Sequence, residues 1–549
     1  MKERLKIGII LDDPKVPNWV LSIIEELSAS NYASIPVLLH CHYTAGKTNR
    51  FFFNSYKFWV YRALKKFEEL IFKSEPNAFQ VKNLTSVSSN IDTVHVALPN
   101  RVEVLDLPEN TINQLQHYDL DIILYTGFTP LKGRILQISR HGIWCCRVGS
   151  QHLTIDNAPI VWEVLEAKNE IPLSIIQKNI NGELLVHHSY TAMDEEFSIL
   201  RMQNRLSWKA ALLLPRKLRE LYEQGEVQFY NDKKFISGEM GDGASSFPSN
   251  FDVLRLASLL YFNKVWLKLK NLFFFEQWIL LYKFGDSTVS SKVLSQFKKL
   301  IPPKNCFWAD PFVVQQNGRY FLFFEELLYD RGLGHISYLE IDKAGNLSKP
   351  RKILETPYHL SYPFIFEYEE QFYMIPETCQ NQTIELYRCT AFPDKWEWAH
   401  NIMEGVSALD TTIHFQDGIY WLFTNIRESE EVANEELYLF FADDILSKTW
   451  TPHPMNPVVS DVRKARPAGK LFQNDDGLFR PAQDCSKTYG YGMCINQVTK
   501  LSKKEYEERT IDVIFPNWEK NLTATHSLNS SGNLTVIDAM INRSKFSFL

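Results

Sequence analysis

Three stretches of this chain repeat one pattern, and the repetition restricts the folds open to it. Trp308-Ala-Asp-Pro-Phe-Val-Val precedes Gly318-Arg-Tyr-Phe-Leu-Phe-Phe-Glu-Glu326. Tyr362-Pro-Phe-Ile-Phe precedes Gln371-Phe-Tyr-Met-Ile-Pro-Glu377, and Asp410-Thr-Thr-Ile-His-Phe precedes Ile419-Tyr-Trp-Leu-Phe-Thr-Asn425. Aromatic and branched residues on both sides of a polar turn make each copy a β-hairpin. Asp310, Tyr362 and Asp410 each stand ten residues before the first aromatic of the returning strand, and Glu325, Glu377 and Asn425 each stand five after it. A hairpin brings its two ends together, so these six side chains are expected on one face. A looser fourth copy runs Arg466-Pro-Ala-Gly-Lys-Leu-Phe with Gly477-Leu-Phe-Arg-Pro-Ala-Gln-Asp484. A shorter fifth runs Thr525-His-Ser-Leu with Leu534-Thr-Val-Ile-Asp538. Repeats of roughly 50 residues with several strands each predict a β-propeller, here of five blades.

A chain of 549 residues exceeds what one core usually serves. Residues 1–225 read as an α/β domain, 226–274 as a linker and connecting helix, and 275–549 as the propeller. The strand 277–285, placed before the first full repeat, is expected to join the short last one and close the ring. Net charge is −6, which argues against general nucleic-acid binding. The apolar run before Asp12 is too short for a signal peptide, and eight cysteines without a Cys-x-x-Cys pair suit reduced packing residues. A cytoplasmic protein is expected. No segment is long and apolar enough for a transmembrane helix. The nearest approach, 251–275, contains Arg255, Lys264, Lys268 and Lys270. Peripheral contact with an anionic membrane suits such a helix, but a linker helix packed between domains is the preferred reading.

Near the start, strands 6–11, 35–40, 93–97, 120–125 and 142–146 alternate with helices 17–28, 51–72 and 110–117, which predicts an open, mostly parallel α/β sheet. No Gly-x-Gly-x-x-Gly follows the first strand, so dinucleotide binding is not expected. The segments Asp121-Ile-Ile-Leu-Tyr-Thr-Gly-Phe, Leu131-Lys-Gly-Arg-Ile-Leu, Gly142-Ile-Trp-Cys-Cys-Arg-Val-Gly and Ala158-Pro-Ile-Val-Trp162 carry a resemblance to the folate-dependent formyltransferase domain over residues 5–220. The family's catalytic Asn, His and Asp fall on Cys145, Arg147, and Ile180 or Asn181. None of these can replace an imidazole with its orienting carboxylate. The resemblance therefore implies the scaffold without that activity, and folate is not expected. His141, His152, His187 and His188 lie close enough in sequence to rebuild a site.

In a propeller each inner strand starts at the central channel. Asp310, Tyr362, Asp410, Arg466 and His526 should line it, with Glu325, Glu377, Asn425 and Asp484 added from the second strands and Trp308 beside them for stacking. Acids, an Arg and rings suit a saccharide, whose hydroxyls need polar partners and whose C–H faces need aromatic ones. Arg463, Lys464, Arg466, Lys470 and Arg480 could also hold a phosphate or an acidic sugar. For Asp310 and Asp410 the plainer alternative is capping of the turn into the strand.

Ala309-Asp-Pro-Phe, His359-Leu-Ser-Tyr-Pro-Phe, Met374-Ile-Pro-Glu-Thr and Arg480-Pro-Ala-Gln-Asp-Cys give the region a likeness to two groups. It resembles the five-bladed propellers of arabinanase and β-xylosidase-type glycoside hydrolases, and the N-terminal region of plant glucosamine inositolphosphorylceramide transferases. The hydrolase resemblance implies that Asp310 is a general base, Asp410 a residue that tunes the acid, and His526 a support for a central water or ion. Arg466 stands where the acid Glu would be, leaving Glu377 or Asp484 as a displaced acid. No metal site is read from the spacing, and no cofactor is expected. Three functions remain open: a carbohydrate-active protein of bacterial glycan or glycoconjugate biosynthesis, a non-catalytic glycan-recognition module, and a formyl or acyl transferase acting on an amino sugar.

Overall fold

The computed structural model describes residues 2–11, 15–43, 59–71, 76–84, 91–98, 105–127, 131–148, 151–152, 160–165, 169–193, 198–231, 233–236, 248–285, 293–428 and 433–546. Residues 237–247 of the expected linker and the expected helical residues 51–58 and 72 lie outside this set. The chain forms two compact units, Met1–Lys264 and Val265–Leu549.

In the first unit, Asp92–Leu98, Ala33–Tyr43, Leu5–Leu11, Ile122–Tyr125 and Ile143–Val148 lie side by side in that order as parallel strands. Glu170–Asn179, Gly182–Ala192 and Lys234–Phe235 extend the sheet antiparallel. Strands covered on both faces can be apolar throughout. Accordingly Ile7, Ile9 and Leu11 enter one core with the helices Asn18–Ala29 and Ile199–Gln224, while Ile10 enters the opposite core with Glu109–Gln116. Ser198 caps the long helix through Arg201 N–H, and buried Glu68 accepts from Ile199 N–H and Leu200 N–H. A carboxylate there meets the positive end of the helix dipole.

The second unit is a five-bladed propeller of antiparallel sheets. The first blade runs Cys306–Gln316, Arg319–Leu328, Gly334–Ile341 and Arg351–Leu354. The second runs Ser361–Tyr368, Gln371–Thr378, Thr383–Ala391 and Lys395–Glu404, and the third starts with Ala408–Gln416, Ile419–Ile426 and Glu436–Ala442. The fourth is Phe472–Asn474, Gly477–Asp484, Gly492–Leu501 and Tyr506–Ile514. The fifth joins the two ends of the propeller sequence: Phe274–Phe284 pairs along its whole length with Leu534–Ser544. No free edge is left at the seam.

The helix Asn250–Phe273 leads into this closing strand. Val253, Leu256 and Leu260 of this helix are buried in the core of the first unit. Phe251, Leu254 and Phe262 are exposed, while Tyr261 packs partly against the same core.

Candidate functional site

The repeat spacing has a structural cause. In each of the first three blades the inner strand contains a β-bulge, which leaves Asp310-Pro311, Tyr362-Pro363 and Asp410-Thr411 outside the regular ladder. The first residue of each pair is left-handed, with φ of 51°, 42° and 53°. Such backbone costs on the order of 1–3 kcal/mol per non-glycine residue and persists where the surroundings fix it. The residue just before each bulge pairs directly with the acid-end position of the second strand: Ala309 with Glu325, Ser361 with Glu377, Leu409 with Asn425. A bulge re-aims the side chain it carries. Here it turns Asp310 and Asp410 into the channel.

Around that channel the charges interlock. Arg466 from the fourth blade donates through Nε to Asp410 Oδ2 at 2.5 Å, through Nη2 to Glu377 Oε2 at 3.2 Å, and through Nη1 to Asn434 Oδ1 at 2.7 Å. Its guanidinium lies over the Tyr489 ring, 4.9 Å from the centroid. Gln483 Nε2 also donates to Asp410, at 2.6 Å. Opposite this group His526 sits between two carboxylates, Nε2 at 3.2 Å from Asp310 Oδ1 and Nδ1 at 2.9 Å from Asp538 Oδ2. Asp538 is fixed in turn by His526 N–H, Ser527 N–H and the Ser527 hydroxyl. Trp278 from the closing strand covers the imidazole, with ring centroids 4.2 Å apart.

Burial acts against charge here, and the neighbours decide the balance. Asp310 is pushed up to about 7 because it is buried and faces Asp410 and Asp538, although His526 and Arg466 pull the other way. Burial, reinforced by Asp310, Glu377 and Asp410, holds Glu325 well above the usual carboxyl range; Glu377 is raised by burial and by Asp410. Burial would lower His526, but Asp538 and Asp310 outweigh it and raise the ring to about 9. His359 accepts from Gly334 N–H through Nδ1, which leaves its proton on Nε2, 3.3 Å from Glu325 Oε1. Neither that contact nor the one from His526 to Asp310 has the alignment of a hydrogen bond, so Glu325 Oε1 and Asp310 Oδ1 are buried without one.

Asp310, His526 and Asp538 also offer three ligand atoms within 4.8 Å of one another, a grouping that the sequence spacing did not suggest. A metal needs a deprotonated imidazole. Asp538 and Asp310 raise His526 to about 9, so an ion bound there would have to displace its proton.

The remaining expected positions lie elsewhere. Trp308 packs on Phe324 in the blade core, and its indole N–H donates to Glu326. Tyr362 is fully buried against Phe312, with its hydroxyl on Thr412. Neither presents a ring for stacking; the accessible ring at the channel is Tyr489, 40% exposed. Asn425 is buried and donates to Glu436 O, and Asp484 accepts from Ser486 N–H. Arg480 forms a two-pronged pair with Glu508, Arg463 is turned onto Asp461, and Arg466 is committed as described. The guanidiniums expected to hold a phosphate or an acidic sugar therefore already have protein acceptors. Lys470 lies over the Phe364 ring, and burial lowers it to about 8.

Sequence reasoning missed Asp538, His359, Gln483 and Tyr489 as site residues. Asp538 had a signal, since it ends the second strand of its repeat as Glu325 does. Gln483 and Tyr489 flank Asp484 without any periodic mark. In the first unit Cys145 is buried, its thiol pushed up to about 11 by desolvation, and Arg147 pairs with Glu183 at 2.6 Å. His141 stacks on Tyr230 and His188 bonds Ser174; the side chain of His152 lies outside the described residues.

Similarity to known proteins falls on the propeller. Residues 294–535 match the family model for the N-terminal region of glucosamine inositolphosphorylceramide transferase 1. The rice (Oryza sativa subsp. japonica) glucosamine inositolphosphorylceramide transferase 1 is 32% identical over 230 residues, which are 41% of this chain and 30% of that one. The Arabidopsis thaliana protein is 34% identical over 210 residues, 38% of this chain and 27% of its own. The chain thus spans less than a third of the plant relatives it matches. Among solved structures the propeller resembles the family 117 glycoside hydrolase Zg3597 of Zobellia galactanivorans, with 12% identity, TM-score 0.32, and coverage of 48% of this chain and 90% of that one. It also resembles the GH62 α-L-arabinofuranosidase of Coprinopsis cinerea, with 14% identity, TM-score 0.33, and coverage of 44% and 92%.

Proposed function

We propose that this is a carbohydrate-active protein of glycan or glycoconjugate synthesis, whose propeller channel binds a glycosyl unit and transfers or releases it. The observation that carries the reading is the pair of buried carboxyl oxygens without hydrogen bonds, Asp310 Oδ1 and Glu325 Oε1, near enough for the charge of Asp310 to raise Glu325. Burial raises both carboxyls, Asp310 to about 7 and Glu325 well above the usual carboxyl range. Asp310, near neutrality, takes the proton of an attacking water or acceptor hydroxyl. Glu325, whose proton affinity burial raises, gives its proton to the departing glycosidic oxygen as the C–O bond breaks and a new one forms. Arg466 fills the fourth-blade acid position, and this reading moves that role to Glu325. The named activity of the plant relatives supports a glycolipid or related glycoconjugate as the substrate class. The eight free cysteines suit a reducing, cytoplasmic setting.

One observation favours a second reading. With Arg466 seated on Asp410 and Glu377, the channel also suits recognition without turnover. A screen of glycans, glycolipids and sugar nucleotides against the full chain, with product analysis of each hit, separates the two. Turnover lost in Asp310→Asn and Glu325→Gln with binding retained supports the enzyme. Binding by the wild type with no product overturns it in favour of a recognition module.

A further inference from the structure

We propose that the first unit binds an oxyanion, a carboxylate or a phosphate group, on the guanidinium of Arg147, a site that the channel chemistry does not use. Arg147 stands in Ile143–Val148, the strand at which the parallel part of the sheet gives way to the antiparallel part, and it is 6% exposed. Its Nη2 donates to Glu183 Oε2 at 2.6 Å, while Nε and Nη1 are buried with no hydrogen-bond partner. Ser174 pairs with Arg147 across the ladder, but its hydroxyl bonds to His188 Nδ1 at 2.7 Å and does not accept from the guanidinium. Idle N–H groups in such a place are unfavourable, because each has given up water without gaining an acceptor.

The local charge makes the same demand. Lys178 shares the carboxylate of Glu183, with Nζ 2.7 Å from Oε1. Among the described residues, the charges that bear on the neighbouring Cys145 thiol are Lys178, Arg147 and Glu183, two cations and one carboxylate. One positive charge therefore stands without a counter-charge in a largely buried setting, where a charge needs a partner. A buried water would accept a hydrogen bond but leave that charge uncompensated. An oxyanion satisfies both, since guanidinium N–H groups form short, strong bonds to carboxylate and phosphate oxygens. The side chains of Lys178 and Glu183 are 19% and 26% exposed, against 7% for Arg147, so a small anion reaches the guanidinium from their side.

Calorimetric titration of the full chain with inorganic phosphate and, separately, with sodium acetate, each against sodium chloride at equal ionic strength, tests the proposal. We expect saturable binding of at least one of the two, and the preference tells a phosphate ligand from a carboxylate one. Arg147→Met should weaken that binding by about tenfold to a hundredfold. Glu183→Gln frees Nη2 and removes a competing negative charge, so it should tighten binding by about tenfold; it keeps the test decisive should Arg147→Met fail to fold. Wild-type protein that shows no saturable response to either anion overturns the proposal. So does a response that Arg147→Met leaves unchanged, or one that Glu183→Gln weakens in a protein that melts as the wild type does.

Discussion

Arg466 Nε lies 2.5 Å from Asp410 Oδ2 while its Nη2 reaches Glu377, so one guanidinium of the fourth blade neutralises acids of the third and second. All three side chains are almost wholly buried. Removing the cation leaves carboxylates without a counter-charge. Arg466→Ala should therefore lose about 3–5 kcal/mol of stability, and adding Asp410→Asn should restore part of it. Urea unfolding of the two variants checks this; a single variant as stable as the wild type would mean that the triad is not buried as described.

Asp310→Asn keeps the size of the side chain and removes the base. Turnover of any substrate found should fall by about 100- to 10,000-fold with little change in dissociation constant. Steady-state kinetics beside calorimetric titration would reveal the split.

Turnover and stability should respond to pH in opposite directions near neutrality. As a base Asp310 must be ionised, so rate should climb as pH passes about 7. Its folded proton affinity exceeds that of an unfolded Asp, so its contribution to stability is complete at low pH and declines as pH rises through about 7. The raised His526 contributes in the same sense, losing its share as pH rises through about 9. A pH–rate profile and melting temperatures over the same range provide both curves; a melting temperature that rises from pH 7 to 9 would contradict the charge assignment.

Gly334 has no side chain because the site leaves no room for one. A Cβ there would stand 2.6 Å from Leu360 O, 2.7 Å from Glu325 Oε1 and 2.8 Å from His359 Cε1. Gly334→Ala should force His359 and Glu325 apart, so that turnover falls further than stability does. Comparison of melting temperature with kcat decides it.

Arg480 and Glu508 are both nearly inaccessible, and their pair holds the fourth blade rather than a ligand. Arg480→Ala should cost about 3–5 kcal/mol while the folded fraction binds as tightly as before. Weakened binding at full folding would return Arg480 to the channel.

Much of this architecture was legible because the bulge forces a fixed count. Asp310, Tyr362 and Asp410 keep their distance from the returning strand since each bulge sits at the same rung, and the sequence shows that interval directly. The partners that individual side chains take were not legible. Nothing near Arg480 points to Glu508, which lies on an outer strand of its blade, and Trp308 resembled a channel residue until Glu326 was seen to take its N–H. The repeat put Arg466 near the ring to within a residue or so, but its contacts with Asp410 and Glu377 depend on three blades at once.

The pairing of Phe274–Phe284 with Leu534–Ser544 also sets an order in time. The ribosome makes the first partner some 250 residues before the second, so four blades emerge while the fifth lacks its central strand. Until Leu534–Ser544 arrives, the apolar edge of Phe274–Phe284 must wait unpaired, and closure of the ring is a late, long-range step in folding.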